Sequence, residues 1–293
     1  MPYVTEDNLT DVALERWKDI PDPRLRQIMQ SLITHLHGFV RESEPTQAEW
    51  AAAIDWLTRT GKMCSDKRQE FVLASDVMGV SMLVDGINHR QPSEATPSTV
   101  EGPFHVANAP TMADGGDMAQ GAPGVPCFVM GKVRGLSGEP IAGAVLDLWQ
   151  TDGEGLYEDQ RDTQGPWMRG LYRTQADGSF LIRTVAPIGY TIPMDGTVGE
   201  LMTRTNISHM RPAHIHFAVS APGHEQLVTH LFRKGDEYIE SDVVYAVKEP
   251  LIVEFIEKPA GKAPSGETLS TPFFEAHYDF VLPRKAEALA AAE

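Results

Sequence analysis

The chain has 293 residues and a formal net charge of −16, with 42% hydrophobic and 23% charged residues. That length predicts roughly two domains or one large one, with a core that needs no disulfide or zinc staple. The composition predicts an ordered globular protein. So acidic a chain argues against nucleic acid and against an anionic membrane surface as partners. Two cysteines, Cys64 and Cys127, are too few for a secreted disulfide framework. The opening MPYVTEDNLT is acidic and lacks the apolar centre of a signal peptide. The most apolar helical stretch, FVLASDVMGVSMLVDGI, is interrupted by Asp76 and Asp85, so no membrane insertion is expected. The expected location is the cytoplasm.

Residues 1–90 read as a helical domain. Leu25, Met29, Leu32, Leu36 and Phe39 recur at steps of three and four, the period of a helix with one apolar face. Thr46 and Glu49 fit a capping box ahead of Trp50, Ile54 and Leu57. Ser65 is placed to cap a further helix carrying Phe71, Val72, Met78 and Leu83. That helix is apolar around most of its circumference, which predicts burial between other elements.

Residues 91–126 carry Pro92, Pro97, Pro103, Pro110, Pro123 and Pro126, which excludes regular helix. Irregular chain of this length is usually functional when it can pack, and GPFHVANAP is apolar enough to do so. It reads as a functional linker rather than disordered chain. From residue 127 to the C-terminus short strand-like runs alternate with turn residues: CFVMGKVRG, PIAGAVLDLW, AHIHFAVSA, LVTHLFRKG, LIVEFIE and HYDFVLP. LYRTQADGSFLIRTV reads as a hairpin turning at Asp177-Gly178. Many short strands with Gly and Pro between them suggest a sandwich or a barrel, and the expected fold is α+β, an N-terminal helical domain followed by a mostly antiparallel β-sandwich.

Ten histidines predict about 0.3 His-x-His pairs by chance, and two occur. His35 and His37 fall in a helix, where a step of two turns the rings about 200° apart. His214 and His216 fall in a strand, where residues two apart share a face, so only this pair can converge on one metal ion. Two-His-one-carboxylate iron sites and cupins place an acid close to such a pair, yet the nearest, Glu225, lies nine residues beyond His216. Three histidines and a water would suit a zinc hydrolase, and His209, His224 and His230 are close in sequence. No Gly-rich phosphate loop, nucleophile elbow or Cys-x-x-Cys motif is present.

In order along the chain, WQTDGEGLYEDQ, APIGYTIPMDGTVG, MRPAHIHFAVSAPG and LVTHLFRKGDEYIESDVVYAVKEPLIVEF resemble the intradiol ring-cleaving dioxygenases. The helical region ending in LASDVMGVSMLVDGIN, followed by GPFHVANAP, is similar to the catechol and hydroxyquinol 1,2-dioxygenase branch. The resemblance spans roughly residues 10–283. It implies one Fe(III) per chain, held by Tyr157, Tyr190, His214 and His216. Two phenolates and two neutral imidazoles suit Fe(III), leaving a net charge of about +1 at the metal. It further implies that an aromatic diol or triol chelates the iron, displacing hydroxide and the Tyr190 tyrosinate. O₂ then cuts the bond between the oxygenated carbons to give a muconate. Arg211 matches the family position that stabilises negative charge on the substrate ring, a task suited to a planar, permanently charged group.

The family's pocket wall falls on Leu73, Asp76, Gly102, Pro103, Phe104, Ile192 and Pro193. Asp76 lies on an apolar helix, where its carboxylate either binds a third ring hydroxyl or caps backbone. Phe104-His105 resembles the hydroxyquinol enzymes. Glu101 stands where the branch carries an apolar residue and is included as a candidate substrate-binding group. The expected substrate is hydroxyquinol, with catechol or pyrogallol behind it. The family architecture implies a homodimer through the N-terminal helices with a phospholipid in the tunnel between them. A contrasting possibility is a non-catalytic transthyretin-like β-sandwich, which has no need of the two tyrosines and two histidines together.

Overall fold

The computed structural model describes residues 3–65, 68–161 and 165–285. The chain forms two compact units, Met1–Arg59 and Thr60–Glu293. Residues 60–90, which composition groups with the helical half, therefore belong to the same unit as the strands.

The first unit holds α1 (Leu9–Arg16), α2 (Pro23–Ser43) and most of α3 (Gln47–Met63). Asp22 caps α2 by accepting from the Arg24 and Leu25 amides, and Pro23 opens it with a preset φ. The expected capping box forms: the Thr46 amide donates to Glu49 Oε2 at 2.8 Å, and the Glu49 amide to Thr46 Oγ1 at 3.2 Å. Arg41 ties α2 to the start of the chain through Thr10 Oγ1 and the Glu6 carbonyl. No residue of α2 is buried, and its apolar stripe of Leu25, Ile28, Leu32, Leu36 and Phe39 lies exposed.

In the second unit the single helix expected after Ser65 is two helices, α4 (Glu70–Val77) and α5 (Val80–Asn88). Gly79 divides them with φ +72°, a left-handed turn that glycine adopts without steric cost. Ser65 accepts from the Arg68 amide, while the residue before α4 is Gln69. Burial follows the expectation only in part: Leu73, Ala74 and Val77 are buried, but other apolar residues of these helices are not. Phe71, Val72, Met78, Leu83, Val84 and Ile87 are exposed, whereas Asp76 and Asp85 are buried. Asp85 is satisfied by Ser98 Oγ and the His89 ring.

The strands are β1 (Pro126–Arg134), β2 (Val145–Trp149), β3 (Arg169–Arg173), β4 (Ser179–Val185), β5 (Tyr190–Thr191), β6 (Met210–Arg211) and β7 (His214–Ser220), with α6 (Thr197–Thr205) between β5 and β6. They continue as β8 (Leu227–Arg233), β9 (Ile252–Val253), β10 (Phe255–Lys258), β11 (Gly261–Lys262), β12 (Thr268–Leu269), β13 (Phe273–His277) and β14 (Phe280–Val281). One sheet runs β3-β2-β7-β8-β9; the other runs β10-β13-β1-β14, with β4 also on β1. Leu146, Leu148, Ile215, Phe217 and Val219 of the first sheet pack with Val129, Val133, Ile182 and Phe280 of the second in one core. Pairing is mostly antiparallel as expected, but mixed, since β1 runs parallel to β13 and β14 and β8 parallel to β9.

The expected hairpin at Asp177-Gly178 is an arch. β3 pairs with β2 and β4 with β1, so the turn carries the chain from one sheet to the other. Leu146 and Tyr172 on one side, and Phe180 and Ile182 on the other, all reach the core between the sheets, which two strands paired side by side would not need an arch to achieve. Gly178 sits at φ +77°, and a Cβ there would lie 2.6 Å from the Val133 carbonyl oxygen. Gly138, at φ +86°, faces open space. Gly138→Ala is therefore expected to cost about 1 kcal/mol of backbone strain, and Gly178→Ala at least about 2 kcal/mol, when both are compared by urea unfolding.

Candidate metal centre and pocket

Strand β7 decides the geometry. Ile215, Phe217 and Val219 point into the inter-sheet core, so His214 and His216 share the opposite face. That face is buried as well. Trp149, Tyr157 and Tyr190 form a separate cluster over it, with Phe104, Ala218 and Val228 packed against them. Trp149 lies opposite His216 in the β2–β7 register and stacks on its ring, at 4.7 Å between centroids and 18° between planes.

Each further group arrives from a different connection. Tyr157 precedes a single 3₁₀ turn, Glu158–Gln160, and its amide donates to the Gln160 side chain at 2.9 Å. Phe104, from the irregular segment before β1, stacks flat on the Tyr157 ring at 4.2 Å. Tyr190 lies opposite Arg211 in the short β5–β6 pair. The Tyr157 hydroxyl is 3.1 Å from that of Tyr190 and 2.9 Å from His216 Nε2. His214 Nε2 is 3.2 Å from His216 Nε2. The Pro212 carbonyl accepts the Nδ1 proton of His214 at 2.6 Å, which leaves Nε2 as a lone pair.

These four atoms suit a metal cation. Two imidazole nitrogens and two phenol oxygens meet within hydrogen-bond distance, all on buried side chains. Burial holds both imidazoles well below the usual histidine range, with Arg211 pushing in the same direction, so both rings are neutral. His230, opposite His216 in the β7–β8 register, is also buried and neutral. His214, His216 and His230 each offer a nitrogen within 4.8 Å of the others. His230, however, uses Nδ1 on the hydroxyl of Thr99. His209 and His224 are not part of this cluster.

Arg211 stands beside the four. Its Nε donates to Asp242 Oδ1 at 3.1 Å and its Nη1 to His214 Nε2 at 3.2 Å, while the buried Nη2 has no protein hydrogen-bond partner. Burial works against its charge, but Asp242, followed by Tyr190, outweighs this and raises its pKa, so the guanidinium stays charged. Asp242 is itself fixed by accepting the Ala246 amide at 2.9 Å.

A cavity of about 730 Å³ opens from this point, large enough for a single substituted ring. Seven of the eight wall positions expected from the sequence line it: Leu73, Asp76, Gly102, Pro103, Phe104, Ile192 and Pro193. Glu101 does not. Its half-exposed carboxylate reaches His105 Nδ1 at 3.1 Å, because the left-handed turn at Gly102 (φ +77°) directs the chain on either side of it differently. Tyr190, Arg211 and His216 close the buried end of the cavity, and Tyr157 lies behind them under Phe104. Burial pushes the Asp76 carboxyl up, opposed by Ser81 and Arg211. Asp242, Trp149, Thr99 and the rim residues Arg68 and Asp195 are additions that the sequence does not single out. Their roles depend on strand register and on contacts remote in sequence, and only the tryptophan at the head of WQTDGEGLYEDQ carries a local signal.

Comparison with known proteins places the chain in a family. A family model described as "Dioxygenase" matches residues 100–284, and one described as "Catechol dioxygenase N terminus" matches residues 22–96. The chain is similar to 6-chlorohydroxyquinol 1,2-dioxygenase of Cupriavidus pinatubonensis, at 48% identity over 89% of this chain and 95% of the relative. It is 43% identical to hydroxyquinol 1,2-dioxygenase of a Rhizobium species, over 96% of this chain and 97% of that one. Among solved structures, hydroxyquinol 1,2-dioxygenase of Pseudomonas putida DLL-E4 superposes with a TM-score of 0.90 at 46% identity, covering 96% of this chain and 99% of the other. The chain belongs to the intradiol ring-cleavage dioxygenases, in the branch of the catechol and hydroxyquinol 1,2-dioxygenases, and is an enzyme of that class.

Proposed function

We propose that this enzyme cuts hydroxyquinol between its two adjacent hydroxyl-bearing carbons, using one Fe(III) held by Tyr157, Tyr190, His214 and His216. The observation that carries this reading is the convergence of two phenol oxygens and two neutral imidazole nitrogens at the closed end of a pocket beside a charged arginine. Two anionic oxygen donors favour Fe(III) over Zn(II), and the Tyr157 hydroxyl lies within hydrogen-bond distance of both the Tyr190 hydroxyl and His216 Nε2. Such an iron supplies Lewis acidity, drawing electron density from the substrate ring so that a ring carbon becomes open to O₂.

The protein's own groups do the rest. Tyr190 borders the cavity whereas Tyr157 lies behind it, so Tyr190 is the phenolate placed to take a substrate hydroxyl proton. Arg211, with Nη2 free of protein partners, faces negative charge as it builds on the ring. The Pro212 carbonyl and the Trp149 stack hold the two imidazoles in position. Phe104, Pro103, Ile192 and Leu73 exclude water from the ring, and Asp76 accepts a hydrogen bond from the third hydroxyl.

On this reading residues 127–293 form the catalytic domain and 91–126 a linker that adds to the pocket wall, while within the helical region 1–90 dimerisation falls to residues 1–59, since 60–90 belong to the unit of the strands. The uncovered apolar stripe of α2 supports a homodimer, with a phospholipid as occupant of the apolar tunnel such a pairing would leave. No helix among the described residues is long and apolar enough to cross a membrane. Two free thiols accord with a cytoplasmic location.

The purified protein is expected to be red, with a tyrosinate-to-Fe(III) band and about one iron per chain, and Tyr157→Phe to bleach or shift that band. A colourless, zinc-containing protein would overturn the ligand assignment. Hydroxyquinol should be turned over faster than catechol, and Asp76→Asn should lower kcat/KM for hydroxyquinol about tenfold while changing that for catechol by less than about twofold. Faster catechol cleavage by the parent enzyme would reverse the substrate ranking. Asp242→Asn, which strips the buried Arg211 of its counter-charge, is expected to cost about 3 kcal/mol in urea unfolding.

A further inference from the structure

Ring opening changes the charge of what the pocket must hold. Both atoms of O₂ enter the product, the two adjacent hydroxyl-bearing carbons flanking the cut bond become carboxyl groups, the third hydroxyl is kept, and two protons leave at neutral pH, so an uncharged triol departs as a dianion. The chain carries a net charge of −16, and the cavity is lined by Glu70, Asp76 and Asp195. Among the described residues lining it, the cations are Arg211 at the buried end and Arg68 at the open end. Arg211 is paired with the buried Asp242 at the end that holds the ring.

Arg68 is built differently. Its Nε and Nη2 both donate to Glu70 Oε2 at 3.0 Å. Glu70 is almost fully buried and immobilised, because its Oε1 accepts the Val198 amide at 2.9 Å at the start of α6. The remaining edge of the guanidinium makes a two-pronged pair with Asp195, Nη1 to Oδ2 at 2.8 Å and Nη2 to Oδ1 at 2.9 Å. The Asp195 side chain is 72% exposed, against 1% for Glu70. One carboxylate is thus a fixed anchor and the other is replaceable. Gly196 makes the arrangement possible, since a Cβ there would stand 2.2 Å from Glu70 Oε1 and 2.5 Å from Arg68 Nη2.

We propose that the outer edge of Arg68 is a carboxylate-binding site for the departing dicarboxylate product, which displaces Asp195 from the guanidinium on its way out of the pocket. Exchanging one carboxylate for another keeps both hydrogen bonds and their geometry, and an exposed ion pair of this kind resists exchange only weakly. Arg68 thereby draws a dianion away from the metal, and Asp195 returns to limit how tightly it is retained. The proposal rests on ring opening to a dicarboxylate and not on which diol is preferred.

The test is calorimetric titration of the iron-loaded enzyme with cis,cis-muconate, and with its uncharged dimethyl ester as control. Asp195→Asn is expected to tighten muconate binding about threefold, by removing the competing carboxylate, and Arg68→Gln to weaken it about tenfold. The ester should bind all three proteins alike. Inhibition of turnover by muconate should move in the same directions. Because Arg68→Gln also disturbs the Glu70 anchor, Asp195→Asn is the deciding variant: unchanged or weaker muconate binding there overturns the proposal. Failure of the parent to turn over hydroxyquinol would count against the substrate assignment, and the titration is read without turnover.

Discussion

The structure depends on an arrangement unfavourable by itself: neutral imidazole and phenol donors pressed together in a buried place. His214 and His216 bring their Nε2 atoms to 3.2 Å, and at least one of these is a lone pair because Pro212 takes the other proton of His214. In a low-dielectric interior such atoms need a proton or a cation between them. The sandwich supplies the rigidity that maintains the approach. Alternate residues of β7 are locked into the inter-sheet core, so the histidines on the other face have little freedom to separate. The tyrosines come from connections, one held by a 3₁₀ turn and one by a two-residue strand pair, which lets their hydroxyls meet strand-borne nitrogens from the opposite side. A rigid sheet with donors added from loops is a general solution for placing ligands to within a fraction of an ångström.

Charge is arranged around this centre with the same economy. A metal site wants few competing cations close by, yet a ring accumulating negative charge wants one. On the proposed reading Arg211 meets both needs, because Asp242 neutralises it from behind while leaving Nη2 unengaged. Asp242 in turn is oriented by backbone amides of the loop it belongs to, so the guanidinium is positioned through a chain of contacts that begins more than thirty residues downstream in sequence. Arg68 repeats the pattern of one buried acid and one cation at the other end of the cavity, with an exposed acid added. In a chain so acidic, these two guanidinium groups are the cations among the described lining of the cavity, set there against Glu70, Asp76 and Asp195.

Features encoded by near neighbours are legible in the sequence, and those that depend on register are not. A spacing of two assigns His214 and His216 to one strand face, and a spacing of three gives the Thr46–Glu49 box. The tyrosines, by contrast, become meaningful only through ordered motifs, since nothing local distinguishes a ligand tyrosine from a packing one. Trp149 stacks on His216 because β2 and β7 pair with those two residues opposite, and Thr99 meets His230 across 131 positions. The arch at Asp177-Gly178 looks like a hairpin in sequence because the turn dipeptide is common to both; what separates them is which sheet each strand joins. Glu101 stays out of the pocket wall because a left-handed glycine beside it reverses direction within one residue.

The burial of carboxylates in α4 and α5 has a physical reading as well. Polar residues are normally outside because burying a carboxylate without partners costs several kcal/mol, about as much as burying two large apolar side chains returns. Asp76 and Asp85 escape that cost differently. Asp85 is hydrogen-bonded by Ser98 and His89, while Asp76 faces the pocket within the field of Arg211. With the acids turned inward to serve structure and pocket, helical geometry leaves Leu83, Val84 and Ile87 on the outside. A second copy of the chain covering apolar helix surface would recover the hydrophobic free energy that this exposure leaves unused.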